Sequence, residues 1–287
     1  MIMIMNYSTD NESILNAVAS RYQATPYTYY QVSPTWKFDS DKKFTDKINY
    51  VIATWSGPRR QGNDEYHENS VIYIDKHLKS LSTLKHNLAQ ITLVIPFNPE
   101  ESKEFRDFIK QLPTHINQTP LKLLKRGNLG QSYGSYSDAF MTYRRLFNYF
   151  IFIEDDYVFA QDNFDQVMVQ MFNSCENCGF LCSFVSTALR GELPHGAISN
   201  GISNTEILNS IVKKYGELPY GEDSTVEDSA YTATPQLEFT RSFIEVKKRL
   251  YDYLTVYNAP FNDGGKYKIY GSEKDKSLIV PIQYANY

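Results

Sequence analysis

The sequence predicts one α/β domain with a mixed, mostly parallel central sheet flanked by helices. Three observations carry that expectation. Short β-branched and aromatic runs alternate with segments of helical period, the order that builds a parallel-cored sheet. A length of 287 residues, 42% of them hydrophobic and 22% charged, supplies a sizeable core without requiring two equal domains. One strand-like run, Tyr149-Phe150-Ile151-Phe152-Ile153, passes directly into Glu154-Asp155-Asp156, and open α/β sheets bind their ligands at the carboxyl ends of strands.

Residues 1–45 are rich in Tyr, Thr, Ser and Asp, and Pro26 and Pro34 confine any helix to Ile14–Tyr22. This stretch reads as an extension laid on a main domain of residues 46–287, whose halves run about 46–160 and 161–287. Tyr50–Trp55 is the first buried strand, stopped by Ser56-Gly57-Pro58 and followed by a polar loop, Arg59–Asp64. From Glu65 to Leu88 the residues Val71, Ile74, Leu78, Leu81, Leu84 and Leu88 recur every three or four positions, the pattern of a helix packing one stripe on a core.

Ile91–Ile95 is a second strand ended by Pro96, and Glu101–Gln111 carries Phe105, Phe108 and Ile109 at helical spacing. A shorter third strand, Leu121–Leu124, leads into the glycine-bearing loop Gly127–Gly134 and a helix over Ser135–Phe147. After the fourth strand and its acids, Gly179–Ser186 reads as a fifth strand. The loop Leu193–Gly201, a loop at Ala259–Lys266 and a terminal strand at Ser277–Pro281 come next.

Composition excludes several classes. The formal net charge of -4, from 29 Lys+Arg against 33 Asp+Glu, provides no global field for nucleic acid or anionic lipid. The apolar opening Met1–Met5 lacks a basic flank and stops at Asn6, short of a signal sequence or membrane span, so the expectation is a cytoplasmic protein without an anchor. Cys175, Cys178 and Cys182 are the three cysteines. An odd number within eight positions does not suit a disulfide framework, and no partner pair supplies the four ligands of a closed zinc site, so buried free thiols are expected.

Glu154-Asp155-Asp156 carries the chemistry. Adjacent carboxylates repel unless a cation or hydrogen-bond donors compensate. Mg2+ or Mn2+ accepts oxygen ligands, keeps several waters and takes one or two carboxylates together with phosphate oxygens, which matches a short acidic cluster. The plainer role for these acids is to cap the turn after the strand.

These residues resemble the GT-A glycosyltransferases, especially the family 2-like group. Glu154-Asp155-Asp156 follows its strand as their DXD motif does, and Asn128-Leu129-Gly130 looks like their Asn-x-Gly loop, over a resemblance spanning about residues 48–240. Two departures stand out: Glu154 begins the motif in place of Asp, and Pro96-Phe97-Asn98 stands where many relatives carry a nucleoside-reading Asp. The resemblance extends to transferases encoded by large algal DNA viruses, which would put the protein in a host cytoplasm.

The resemblance implies transfer of a sugar from a nucleoside-diphosphate sugar, UDP- or GDP-linked, to a hydroxyl of an oligosaccharide or glycan acceptor. Residues 46–160 would then be the donor half and 161–287 the acceptor half. Asp156 would be the principal metal ligand, with Glu154 a second and Asp155 nearer the sugar or ribose. Thr54, Trp55 and Ser56 would lodge base and ribose, and Arg59, with Arg60, would face the pyrophosphate. Asn128 and Gly130 would contact the donor, the loop Leu193–Gly201 would contact the donor sugar or the acceptor, and Thr205–Lys214 would be the helix that follows it. An inverting transfer needs a carboxylate to take the acceptor proton; Asp228 with Glu227 is the leading choice and Asp223 an alternative. His195 is either a site residue or an exposed loop histidine. The competing readings are a nucleotidyltransferase, which also uses strand-end acids and metal, a glycosidase, and a carbohydrate-binding module that keeps the fold without turnover.

Overall fold

Each central strand is a run of wholly buried residues: Ile48–Ala53 (β2) and Gln90–Pro96 (β5) are buried along their full length, and Tyr149–Glu154 (β8) is buried up to its final residue. Buried on both faces, such runs need cover from helices on each side. The computed structural model describes residues 30–33, 35–57, 59–61, 65–67, 70–155, 157–159, 161–182, 185–186, 195–196, 200–221, 233–253 and 282–284. They form one Rossmann-like α/β domain.

Nine strands make the main sheet. In chain order they are Tyr30–Gln31 (β1), β2, β5, His115–Ile116 (β6), Thr119–Arg126 (β7), β8, Cys178–Cys182 (β10), Asn200–Asn204 (β13) and Arg249–Asp252 (β14). Across the sheet they run β1-β14-β10-β13-β8-β2-β5-β7-β6. β8, β2, β5 and β7 are mutually parallel, and so are β10, β14 and β1. β13 is antiparallel to both of its neighbours, β10 and β8. The reversed strand therefore joins two parallel blocks whose carboxyl ends share one edge of the sheet. Small hairpins and pairings lie outside it: Arg59–Gln61 (β3) with Glu65–His67 (β4), Tyr157–Phe159 (β9) with Ile282–Tyr284 (β15), and Val185–Ser186 (β11) with His195–Gly196 (β12).

Six helices are described: Ser70–Thr83 (α1), Lys103–Gln111 (α2), Gln131–Tyr143 (α3), Phe164–Ser174 (α4), Thr205–Tyr215 (α5) and Ala233–Glu245 (α6). α3 and α6 cover one face, where Phe152 meets Tyr136 and Phe239 at ring-centroid separations of 4.9 and 5.9 Å. α1 and α4 cover the other, where Tyr50 packs on His77 and Phe164 at 5.6 and 5.7 Å. Gly201 stands opposite Phe152 in β13, and a Cβ there would enter the Phe180 ring.

The structure shifts several expected boundaries. The helix expected over 65–88 is α1, Ser70–Thr83, because the stretch expected to be a polar loop pairs as β3 and β4 and takes Glu65–His67 into a strand. α3 begins at Gln131 rather than Ser135, since Gly130 takes the left-handed backbone that ends the loop early. The expected loop Leu193–Gly201 ends in β13, which enters the sheet at Asn200. Cys178 and Cys182 are buried free thiols and Cys175 is a half-buried one, as expected. Among the described residues, no helix is long and apolar enough to cross a membrane. The expected segments Ile14–Tyr22, Ala259–Lys266 and Ser277–Pro281 lie outside the described residues.

Candidate functional site at the carboxyl end of β8

Side chains alternate across a strand, and that alternation separates the acids of the turn after β8. Phe152 faces α3, so Glu154 emerges on the same side, where its half-buried carboxylate accepts a hydrogen bond from the Ser132 hydroxyl. Ser132 lies in the first turn of α3, a helix whose amino end has no side-chain cap. The partial positive charge of that helix end favours an anion beside it.

Asp155 falls on the opposite face and is only 1% exposed. Its carboxylate accepts a hydrogen bond from the Thr54 hydroxyl. Its N–H donates to the carbonyl of Ala53 at 3.0 Å, and its own carbonyl lies 3.2 Å from His77 Nδ1. His77 is fully buried in α1, and its Nε2 is 2.8 Å from the Tyr50 hydroxyl. Because a carbonyl can only accept, Nδ1 carries the proton, so Nε2 accepts from Tyr50; the tautomer is assigned from this network. Burial lowers the His77 pKa to about 4, which keeps the ring neutral.

The strand-end residues of β2 are close to the same turn. Thr54 and Ser56 are buried, and Trp55 is half-exposed, with its carbonyl held by the Ser70 hydroxyl at the start of α1. The Trp55 indole lies over Gly57, leaving no room for a Cβ. Arg59 and Arg60 pair with His67 and Tyr66 in the β3–β4 hairpin.

The loop after β7 is tied down by Arg126. Its Nε donates to Asp138 Oδ2 at 2.6 Å, and its Nη2 donates to the Leu129 carbonyl. A Cβ on Gly134 would strike both that guanidinium and the Leu129 carbonyl. Asn128 is exposed, whereas Gly130 is buried with φ of 67° beneath the Tyr220 ring. Gly130→Ala is expected to destabilise the fold by about 2–4 kcal/mol, combining a left-handed penalty with overpacking. Gly127→Ala, at an exposed position with nothing within 4 Å of the added carbon, should change stability by less than about 0.5 kcal/mol. Urea titrations of the two variants read the difference directly.

Of the residues singled out in the sequence, the structure brings Thr54, Asp155 and Glu154 to one end of the sheet, with Trp55 and Ser56 following Thr54. Asp156, Asp223, Glu227 and Asp228 lie outside the described residues, and of Arg59 and His195 only the backbone is described. Among the described residues no group of three or more His, Cys, Asp and Glu side chains is gathered to hold a metal.

Three residues at this end were not singled out in the sequence: His77, Ser132 and Arg126. His77 was legible in principle, as a polar residue on the buried stripe of α1 between Ile74 and Leu81. Ser132 and Arg126 carry no such signal. Asn200, at the start of β13 and opposite Ile153, accepts a hydrogen bond from Tyr253 at 3.2 Å, and both residues are buried.

Comparison with known proteins leaves the family open. No family model matches this chain, and no curated protein matches it. Among solved structures, it is similar to a cytidylyltransferase from Leptospira borgpetersenii, with 15% identity, 73% of this chain and 76% of that chain covered, and a TM-score of 0.43. It is also similar to a mannosyltransferase from Pyrobaculum calidifontis in complex with GDP-Man and Mn2+, at 10% identity and a TM-score of 0.45. That match covers 86% of this chain but spans only 63% of the mannosyltransferase. A third is 4-diphosphocytidyl-2C-methyl-D-erythritol synthase from Anaerococcus prevotii, at 12% identity, 72% and 86% coverage and a TM-score of 0.40.

Proposed function

We propose that this protein is a metal-dependent transferase that moves a sugar from a nucleoside-diphosphate sugar to a glycan hydroxyl, with the GT-A glycosyltransferases as its nearest functional type. The observation that carries the reading is the acidic turn at the carboxyl end of β8. Glu154 stands there on the α3 side, half-buried beside an uncapped helix end, while Asp155 is held from behind. A central parallel strand ending in carboxylates beside an electropositive helix terminus suits a ligand that carries phosphates.

The donor set fits Mg2+ or Mn2+, since it consists of carboxylate oxygens and leaves most of the coordination shell to water and phosphate. Asp156 and Glu154 would hold the ion. Bound there, it would neutralise the charge that develops on the departing diphosphate. Thr54 is already engaged with Asp155, so its part is to orient the turn. Trp55, half-exposed at the end of β2, is the residue in that stretch with surface to offer a base or ribose. Asn128, exposed on the loop, would line the donor, whereas Gly130, buried beneath Tyr220, would shape that loop without touching the donor; Arg59 would meet the pyrophosphate. One carboxylate of Asp228, Glu227 or Asp223 would take the acceptor proton.

Calorimetric titration with UDP or GDP, with and without Mn2+, tests the reading. The expected result is binding that strengthens with the metal and is lost in Asp156→Ala. Failure of every nucleoside diphosphate to bind in either condition would overturn it. The products then decide between two transfers that strand-end acids and a metal serve equally. Release of nucleoside diphosphate marks glycosyl transfer, and release of pyrophosphate marks nucleotidyl transfer. Glycan binding that survives loss of all three acids would mark a non-catalytic carbohydrate-binding module.

A further inference from the structure

The acidic turn is fixed by contacts on the side of the sheet away from Glu154. The backbone of Asp155 is engaged at both its polar atoms, N–H by Ala53 and carbonyl by His77, and its carboxylate by Thr54. His77 is the contact that reaches across elements, linking α1 to the Tyr50 hydroxyl of β2 and to the residue immediately after β8. An apolar side chain at this place would complete the stripe formed by Ile74, Leu78 and Leu81. Histidine instead brings two polar nitrogens into a site with no solvent exposure, and both are used in hydrogen bonds. A buried polar ring with only one nitrogen satisfied would be unfavourable.

We infer that His77 is a positioning residue for the acidic turn: its imidazole, wedged between the Tyr50 hydroxyl and the Asp155 carbonyl, sets the orientation of the Asp155 backbone at the carboxyl end of β8. The inference rests on the transferase reading for its effect on ligand binding, though not for its effect on the turn itself. A carbonyl that accepts from a fixed donor resists turning about its own Cα–C bond, which restrains the backbone of Asp155. Outer partners of this kind, which touch ligating segments without touching the ion, typically change metal affinity by 10–100-fold when removed.

Two substitutions separate positioning from packing. In His77→Asn the amide falls near the place of Nδ1 and keeps a donor for the Asp155 carbonyl. In His77→Gln the amide falls near the place of Nε2 and keeps the Tyr50 contact while withdrawing the His77 donor from that carbonyl. Each variant forfeits one buried hydrogen bond, so both should lose comparable stability. Mn2+-dependent affinity for UDP or GDP should fall about tenfold in His77→Gln and by a clearly smaller factor in His77→Asn. Amide hydrogen exchange over residues 154–158 should accelerate in His77→Gln and remain near the parent rate in His77→Asn.

Equal losses in the two variants, or unchanged exchange in His77→Gln, would overturn the inference. If the parent protein binds no nucleoside diphosphate, the transferase reading falls and the exchange comparison alone decides the role of His77. Should His77→Gln not fold, His77→Leu takes its place, because it removes the donor to the Asp155 carbonyl while continuing the apolar stripe of Ile74, Leu78 and Leu81. Faster exchange over 154–158 supports the inference, and an unchanged rate overturns it.

Discussion

Phe152→Ala is expected to cost about 3–5 kcal/mol of folding stability, the range for emptying a buried aromatic site. Phe152 has no exposed surface, and its strand is paired on both sides, by β2 and by β13. Its ring meets Tyr136 of α3 and Phe239 of α6 and lies 6.1 Å from Phe150. Two helices and the sheet therefore converge on one side chain, and the gap cannot close without moving a helix against the sheet. Leucine at the same position retains most of the volume and should cost well under half as much. Urea unfolding checks this: the midpoint should fall in both variants, further for alanine, with the slope unchanged if unfolding stays two-state. Loss of Phe152 also bears on the site, because Glu154 projects from the same face two residues later.

Asp165→Asn is expected to stabilise the protein near neutral pH by up to about 3 kcal/mol relative to the parent and to leave it nearly unchanged near pH 4. Asp165 is buried in the first turn of α4, where it accepts a hydrogen bond from the Asn87 N–H at 2.6 Å. Its second carboxyl oxygen is buried and has no hydrogen-bond partner among the described residues. Burial raises its pKa from 3.8 to about 6. Between these values the folded state holds a proton that the unfolded chain has released, so the parent loses stability as pH rises through this window, by about 1.4 kcal/mol per pH unit. Asparagine mimics the protonated acid at every pH and removes that slope.

His77 acts with the opposite sign. Its folded pKa of about 4 lies below the ordinary 6.5, so between those values unfolding takes up a proton and stability falls as pH drops. In the parent the two slopes largely cancel between about pH 4 and 6, which conceals both. In Asp165→Asn the His77 slope stands uncovered, and chemical denaturation in steps from pH 4 to 7 should show stability climbing with pH. A parent and variant that track each other in parallel would refute the assignment to Asp165.

Much of this architecture was legible in the residues because it follows from local periodicity. Apolar runs in β2, β5 and β8 and the three-to-four spacing of α1 and α2 each state their element without reference to the rest of the chain. The helix expected over Thr205–Lys214 is Thr205–Tyr215 in the structure, capped by the Asn204 side chain at its start and ended at Gly216. The acids after β8 were legible for the same reason: a strand of known direction sets the residues next in the chain at its carboxyl end.

Periodicity does not contain the choice of which elements become neighbours. β13 reads as a loop end, and only its antiparallel insertion between β8 and β10 turns Asn200–Asn204 into a central strand. The β3–β4 hairpin shortens α1 because two polar stretches pair with each other, a choice that no single segment states. The roles within the acidic turn also depend on partners far away in sequence: Thr54 is 101 residues and His77 78 residues from Asp155.

By itself, then, the sequence determined a mostly parallel α/β sheet with carboxylates at the end of a central strand, since strand direction and side-chain alternation are local properties. Tertiary structure alone decided that Glu154 would stand beside the helix end of α3 while Asp155 turned inward to Thr54 and His77. Hydrogen bonds across the sheet and between layers form only when distant segments meet, and no local pattern encodes that meeting.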